Sequence, residues 1–358
     1  MLILLRNFGR PPTRDQGRRA TLPREWGIIY TRRPLEEVSM LASLLVCLTA
    51  AAAGQPRPVH TYSIVARDPG TGDLGIAVQS HWFSVGAVVP WAEAGVGAVA
   101  TQSIVDPSYG PLGLALMKAG KTAPEALAAL LAGDPGREVR QVGMVDAKGN
   151  VATHTGNMDI PAAGGQAGTG YVVQANLMEK PTVWGAMARA FESARGDLAD
   201  RMLAALDAGQ GEGGDIRGVQ SAAILVVRGT STGRPWADKL FDLRVEDSAE
   251  PLKELRRLVG VQRAYSHMSA GDDCVAVKDW ACAEREYGAA EGMQPANAEM
   301  AFWHGVALAS NGKMEQARPL FRRAFVADAR WRELVKRLPG VDQLPKDPQL
   351  MEAILAVK

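Results

Sequence analysis

Residues 61–80 read TYSIVARDPGTGDLGIAVQS, and the organisation of the whole chain follows from them. Thr61 to Arg67 and residues 74 to 80 are two runs of strand-forming composition. The intervening Asp68-Pro69-Gly70-Thr71-Gly72-Asp73 carries the Pro and Gly of a turn, so the block predicts an antiparallel hairpin. Side chains alternate along a strand, so Thr61 and Ser63 share a face. Ser80 reaches them if the hairpin closes at 68–73. Such a hydroxyl cluster either lines a pocket or fills space with hydrogen bonds.

Beyond the hairpin, residues 86–90 and 95–102 read as two more strands, the second with small or apolar side chains on both faces, as expected when both are covered. Pro111 suits a helix start. Thr122 with Glu125 three residues on forms a capping box for a helix that stops at Gly133. Val139–Asp146 and Val151–Thr155 flank a second hairpin turn, and 171–176 is a further strand. Helices over 182–195 and 197–208 precede strands at 220–228 and 240–245. Hairpins and helix pairs in this order argue against a βαβ repeat and for antiparallel sheets with helices laid on them. Strands apolar on both faces imply stacked sheets inside helical layers. The expectation is an α+β domain over 60–248, a four-layer α/β/β/α sandwich, followed by a small all-α domain over 251–358.

Upstream, MLASLLVCLTAAAAG from Met40 is a short apolar run ending in small residues, the pattern of a signal peptide over 40–54 that directs export to the periplasm or beyond. It is too short to span a membrane. Residues 1–39 read as a disordered upstream extension. Net charge is +1 and no basic block stands out, so neither nucleic acid nor a membrane surface is an expected partner. No CxxC or HExxH occurs and the histidines are scattered, which argues against zinc. No cofactor is expected. Cys274 and Cys282 are either two small apolar residues on packed helices or an oxidised pair.

The blocks TYSIVARDPGTGDLGIAVQS, VPWAEAGVGAVATQ, DPSYGPLGLALMKAG, DPGREVRQVGMVD and GDIRGVQSAAILVV closely resemble, in order, the DUF1028 family. This is an uncharacterised group with an N-terminal nucleophile (Ntn) hydrolase-like fold, and the resemblance covers about residues 60 to 248. It implies that Thr61 matches the residue that initiator-Met removal exposes in other members. It also implies an attack on an amide carbonyl by that residue's hydroxyl, with its α-amine as base. In this chain a signal cut near Ala53 leaves Gly54 to His60 ahead of Thr61, and an acylated nitrogen is not a base. Either a second cut follows His60, or Thr61 is an ordinary β-branched residue at a strand edge.

Other polar groups fall in matching blocks. Ser63, Ser80, Gln102 and Ser221 join Thr61 as pocket candidates. Arg140 is either a structural partner of a carboxylate or a fork for a substrate carboxylate. Asp215 and Arg217, after two glycines, form either a loop-ordering ion pair or a site rim. Gln174 and Asn176 are carboxamides on an otherwise apolar strand, where a buried amide needs partners; Asn176 offers donor and acceptor for an oxyanion or a substrate amide, or satisfies backbone at a strand end. Where many members carry a pattern like CIPWAGH, residues 158–165 here read MDIPAAGG. The glycine-rich stretch up to Gly170 lacks a P-loop lysine and is expected to be a mobile flap.

In the C-terminal part, Ala283, Tyr287, Ala290 and Pro295 recur as Ala317, Phe321, Ala324 and Ala329, and Gly271 as Gly305, at an interval of about 34 residues that resembles the tetratricopeptide repeat. Two units rarely bury a core alone, so they must lean on the sandwich, on a helix near 251–264, on a terminal helix around 348–356, or on a second subunit. Homodimerisation or docking of a peptide-like partner is the expected role. Trp280, Trp303 and Trp331 are either core plugs or a ligand cage. Two functions are open: an exported amidohydrolase acting on a small amide or peptide-like substrate, or a non-catalytic binding or scaffold protein.

Overall fold

The computed structural model describes residues 61–358. The upstream extension, the signal segment, Cys47 and residues up to His60 lie outside the described residues. The chain is α+β, with two antiparallel sheets and ten α-helices among the described residues.

The predicted hairpin forms β1 (Thr61–Arg67) and β2 (Leu74–Ser80), with Thr61 opposite Ser80. The turn is locked by Asp68, whose carboxylate accepts from Gly70 N at 2.8 Å and Thr71 N at 2.9 Å. These strands lie inside a six-stranded sheet of order β10-β9-β2-β1-β8-β7, built with β7 (Gly164–Gly168), β8 (Tyr171–Ala175), β9 (Ser221–Val227) and β10 (Lys239–Val245). Thr61 therefore starts an inner strand, paired on both sides, and not an edge strand. A four-stranded sheet orders β3 (Pro90–Glu93), β4 (Gly97–Ser103), β5 (Arg140–Asp146) and β6 (Val151–Thr155).

Three apolar clusters cover these sheets. Val65, Ile76, Val78 and Leu225 meet Ala98, Ala100 and Val145 between the two sheets. Tyr62, Ile64, Val173 and Ile224, on the opposite face of the larger sheet, pack against α3 (Val183–Ser193) and α4 (Leu198–Gly211). Val99, Val142 and Met144 of the smaller sheet pack against α1 (Tyr109–Lys118) and α2 (Ala123–Gly133). Each large side chain buried this way contributes about 1.5–3 kcal/mol. The capping box of α2 is formed on both sides, Thr122 accepting from Glu125 N and Glu125 from Thr122 N. At the start of α1 a side chain on Gly110 would lie 2.2 Å from the Trp91 ring, so only glycine permits that contact.

Two local expectations are corrected. Residues 86–90 are not a strand: Val85–Ala87 is a 3-10 turn and pairing starts at Pro90. The cause is distant, since Ser221 Oγ accepts from Val85 N at 3.1 Å and donates to Trp82 O, curling the backbone there. The flap expected over 156–170 contains β7, whose residues from Gly164 to Gly168 pair with Ala175 to Tyr171. Its backbone approaches closely enough that a Cβ on Gly165 would lie 2.9 Å from Val173 O.

From Pro251 the chain is helical, and the helix expected to end at 264 runs on as α5 (Pro251–Ala276). Leu252, Leu255 and Val259 on its first half join the cluster under the larger sheet. Ala264, Met268 and Cys274 on its second half join a separate core with α6 (Trp280–Met293) and α7 (Ala298–Ser310). A third core binds α7 to α8 (Met314–Ala327), α9 (Arg330–Val335) and α10 (Pro348–Leu355). Ala283, Tyr287, Ala290, Ala317, Phe321 and Ala324 are all buried. A Cβ on Gly271 would lie 2.7 Å from the Tyr287 ring, so the glycine lets α5 and α6 approach. Trp331 packs on Phe302 at 4.7 Å between ring centroids.

Cys274 and Cys282 form a disulfide with Cα atoms 5.8 Å apart, joining the end of α5 to the start of α6. Closing so short a loop restricts the unfolded chain by about 2–3 kcal/mol on the chain-entropy model. Replacing both cysteines by alanine is therefore expected to lower stability by about that amount, measured by urea denaturation followed through far-ultraviolet circular dichroism.

Candidate functional site

The space between the sheets changes chemistry along its length. Near the β1–β2 turn it is apolar; near the start of β1 it is lined by Thr61, Ser63, Ser80, Gln102, Gln141, Gln174, Asn176 and Ser221, all fully buried. Strand alternation produces this layer. Thr61 and Ser63 point from β1 to the same side as Val65, while Gln102 and Gln141 share the inner face of the smaller sheet with Ala100 and Val145. In register, Thr61 faces Ser80 and Ser80 faces Ser221, so three strands contribute a row of hydroxyls.

Buried polar atoms must find partners, and here they bridge the sheets. Thr61 Oγ1 donates to Ser80 Oγ at 3.1 Å. The Thr61 carbonyl accepts from Gln102 Nε2 at 3.0 Å and from Asn176 N at 3.1 Å, which fixes the backbone at the start of β1. Ser63 Oγ donates to Gln102 Oε1 at 2.7 Å. Gln141 Oε1 accepts from Gln102 Nε2 at 2.6 Å and from Asn176 Nδ2 at 2.8 Å. Its Nε2 donates to Ala175 O and Thr155 Oγ1, both at 2.9 Å, and to Gly164 O at 3.2 Å. Gln174 Nε2 reaches Ala100 O, while its buried Oε1 has no partner.

The backbone around this layer is strained. Ser84, Ser103, Ala162 and Leu177 have φ of 58°, 71°, 57° and 56°, a region costly for residues with a side chain. Ser103 follows Gln102, Leu177 follows Asn176, and Ser84 precedes Val85, which is held by Ser221. Ala162 accepts from Met178 N through its carbonyl. Strain of this kind concentrates at functional sites.

At the rim, Asp215 is buried and its carboxylate accepts from His81 N at 3.1 Å and from the Arg217 guanidinium at 2.6 Å. Asp215 and Arg217 thus form the loop-ordering ion pair, beside the end of β2. His81 Nδ1 is buried and unpartnered. Ser103 donates to Asp159 Oδ1 at 2.5 Å, and Asp159 Oδ2 is buried without a partner. Burial raises the Asp159 carboxyl above its ordinary range, against the lowering effect of the Ser103 hydrogen bond.

Six candidates thus converge in the polar layer: Thr61, Ser63, Ser80, Gln102, Asn176 and Ser221. Asp215 and Arg217 lie at its rim. Arg140 does not join them, because it precedes Gln141 on β5 and alternation sends it to the opposite face. There it pairs with Asp134 at 2.9 Å and donates to Ile104 O, so it is the structural partner of a carboxylate. Gln141 and Gln174 complete the layer, although neither stood among the site candidates. Their signal was a carboxamide in an otherwise apolar strand, repeated on β4, β5 and β8.

The family model described as "Family of unknown function (DUF1028)" matches residues 61–255. The chain belongs to the DUF1028 family. A crystal structure of protein SPO2555 from Silicibacter pomeroyi, itself a DUF1028 protein, is similar at 30% identity over 56% of this chain and 84% of that one, with a TM-score of 0.50. No curated protein matches. The DUF1028 match begins at Thr61, the residue on which the polar layer converges, and ends within α5.

Gln141→Leu removes at once the acceptor that Asn176 Nδ2 and Gln102 Nε2 share and the donor to the Ala175 carbonyl. It is expected to lower stability by about 2–5 kcal/mol, each stranded group costing roughly 1–3, read from the urea midpoint. Asp159 gives a pH signature. Its folded pKa is raised, so it favours the native state at acid pH, and that contribution is lost as pH rises through the folded pKa. Asp159→Asn should flatten this part of the stability–pH curve, measured by thermal melts from acid to neutral pH.

Proposed function

We propose that this DUF1028 protein is an Ntn-type amidohydrolase, built as a four-layer α/β/β/α sandwich, that cleaves a small amide or peptide-like substrate with Thr61 as nucleophile. The observation that carries the reading is the chemistry of the buried layer. Among the described residues it holds hydroxyls and carboxamides and no ionisable side chain. A proton acceptor for the Thr61 hydroxyl is therefore best supplied by Thr61's own nitrogen. Hydrolysis of the His60–Thr61 bond converts that nitrogen from an amide, which is not a base, into an amine, which is.

The reaction then follows from the surrounding groups. Thr61 Oγ1 adds to the substrate carbonyl carbon while its proton passes to the α-amine. The Asn176 carboxamide, which also donates to Gln141 Oε1 at 2.8 Å, supplies a hydrogen bond to the oxyanion that forms. Collapse breaks the C–N bond, and the leaving amine takes the proton back from the α-ammonium. Water, deprotonated by the same amine, adds to the Thr61 ester and releases the acid. Gln102 and the Asn176 backbone N–H hold the Thr61 carbonyl throughout, which positions the hydroxyl beside Ser80. No metal or cofactor enters this scheme. The Cys274–Cys282 disulfide supports export to an oxidising compartment.

A second reading attaches to the helical part. A cavity of about 650 Å³ there is lined by Tyr265, Asp272, Tyr287, Glu299, Trp303 and Asp342, among others. Carboxylates between aromatic rings favour a cationic, peptide-like partner, docked on tetratricopeptide-like helices. This surface serves an enzyme or a binding protein equally, so the N-terminus decides between them.

Exported protein is expected to begin at Thr61 by N-terminal sequencing and to hydrolyse members of an amide library. Thr61→Ala should reduce turnover on the order of 10⁴-fold or more, and Thr61→Ser should retain part of it. A mature start upstream of Thr61 together with full activity would sink the mechanism.

A further inference from the structure

The cavity among the helices has two anionic ends joined by an apolar middle. On α5 its lining side chains recur as Tyr265, Met268, Ser269 and Asp272, the spacing of one helix face. On α7, Glu299 and Trp303 stand one turn apart and border the same space. Tyr265 OH donates to Glu299 Oε2 at 2.6 Å, and Tyr287 OH from α6 donates to Asp272 Oδ1 at 2.7 Å. Each end is therefore a carboxylate held by a tyrosine. Two turns of α5 separate Tyr265 from Asp272, so the ends lie about 10 Å apart along that helix.

Both carboxylates are open to a ligand. Asp272 is exposed and Glu299 half-buried, and neither forms an ion pair among the described residues. Asp342, at the margin of the cavity, is already matched by Lys346 at 2.8 Å. Lys278 is the one basic side chain among the described lining residues, so the walls carry an excess of negative charge. The volume of about 650 Å³ is in the usual range for a ligand site.

The tyrosines also select the kind of cation. A guanidinium pairs best when it takes both oxygens of a carboxylate. Here one oxygen of each carboxylate already accepts a tyrosine hydroxyl, which favours the compact ammonium, a point charge served by a single oxygen. Between the ends, Met268 and the Trp303 ring offer a surface on which a methylene chain packs, and the ring face adds attraction for a cation near Glu299.

We infer, building on the cationic-partner reading above, that this cavity binds a linear aliphatic dication, one ammonium on Glu299, the other on Asp272 and the chain across Met268 and Trp303. A free polyamine and a peptide with two lysines share this chemistry. The site is separate from Thr61 and does not depend on the hydrolase reading.

Isothermal titration of the full chain compares octanediamine, charged at both ends, with octylamine, which keeps the chain and loses one charge, and with propanediamine, which keeps both charges and loses the spacing. Octanediamine should bind saturably and about tenfold or more tighter than either control. Spermidine and a capped Lys-Ala-Ala-Lys peptide distinguish the sources, the tighter of the two naming the ligand. Asp272→Asn and Glu299→Gln keep the shape and an acceptor for each tyrosine while removing one charge. In either variant, with folding checked by circular dichroism, octanediamine should bind no better than octylamine binds the wild type. Glu315→Gln, at an exposed carboxylate on α8 outside the cavity, should change nothing. Equal affinity for octylamine or propanediamine overturns the two-ended ligand and leaves the cationic-partner reading standing, whereas no saturable binding of any of these cations up to about 10 mM overturns both. Unchanged affinity in folded Asp272→Asn and Glu299→Gln proteins, or an equal loss in Glu315→Gln, also overturns the two-ended site.

Discussion

The carboxamide of Gln141 is the interaction on which the meeting of the two sheets depends. From β5 it accepts from Gln102 in its own sheet and from Asn176 just beyond β8, and it donates to the carbonyls of Ala175 and Gly164 in the opposing sheet. Apolar contacts hold the other end of the interface, but they are non-directional and tolerate sliding. Hydrogen bonds between buried carboxamides and backbone carbonyls do not. Gln141 therefore sets the alignment of one sheet over the other at the end where Thr61 begins its strand.

That alignment explains why the strain is tolerated. Ser103 and Leu177 take left-handed conformations immediately after Gln102 and Asn176, the two residues that Gln141 accepts from. An unsatisfied buried carboxamide costs about as much as a strained residue, so keeping the network closed offsets the backbone distortion. The same logic reaches the loop before β7. Leu177 N donates to Ile160 O and Met178 N to Ala162 O, so the loop is drawn over the polar end of the interface.

Local features were legible in the sequence. The turn at Asp68–Asp73 and the capping box of Thr122 and Glu125 are written within a few residues, and each forms as read. Features set by distant partners were not. The 3-10 turn at Val85 depends on Ser221 from β9, and β7 depends on pairing with β8, because Gly164-Gly165-Gln166-Ala167-Gly168 has almost no side-chain pattern of its own. At the candidate site, alternation requires Arg140 and Gln141 to face opposite ways. It could not say which of the two faces the other sheet, and that is why Arg140 was singled out and the hub beside it was not. Thr61, Ser63 and Ser80 were recoverable because one hairpin places all three.

The hairpin also carries a constraint that neither of its faces shows alone. Thr61 with Ser80 faces the polar layer, and Tyr62 with Gln79 faces the helices on the other side, bonded to Gln210 of α4, so two chemistries are interleaved residue by residue on one strand pair. A one-residue slip of register would exchange them. Tyr62 would be driven between the sheets, and the Thr61 hydroxyl toward α4. What prevents the slip is the turn about 20 Å away along the strands, where Asp68 holds the backbone of Gly70 and Thr71, together with the apolar interlock of Val65, Ile76 and Val78. The position of the Thr61 hydroxyl is thus determined by residues that never touch it, and the same residues determine which way Gln79 points.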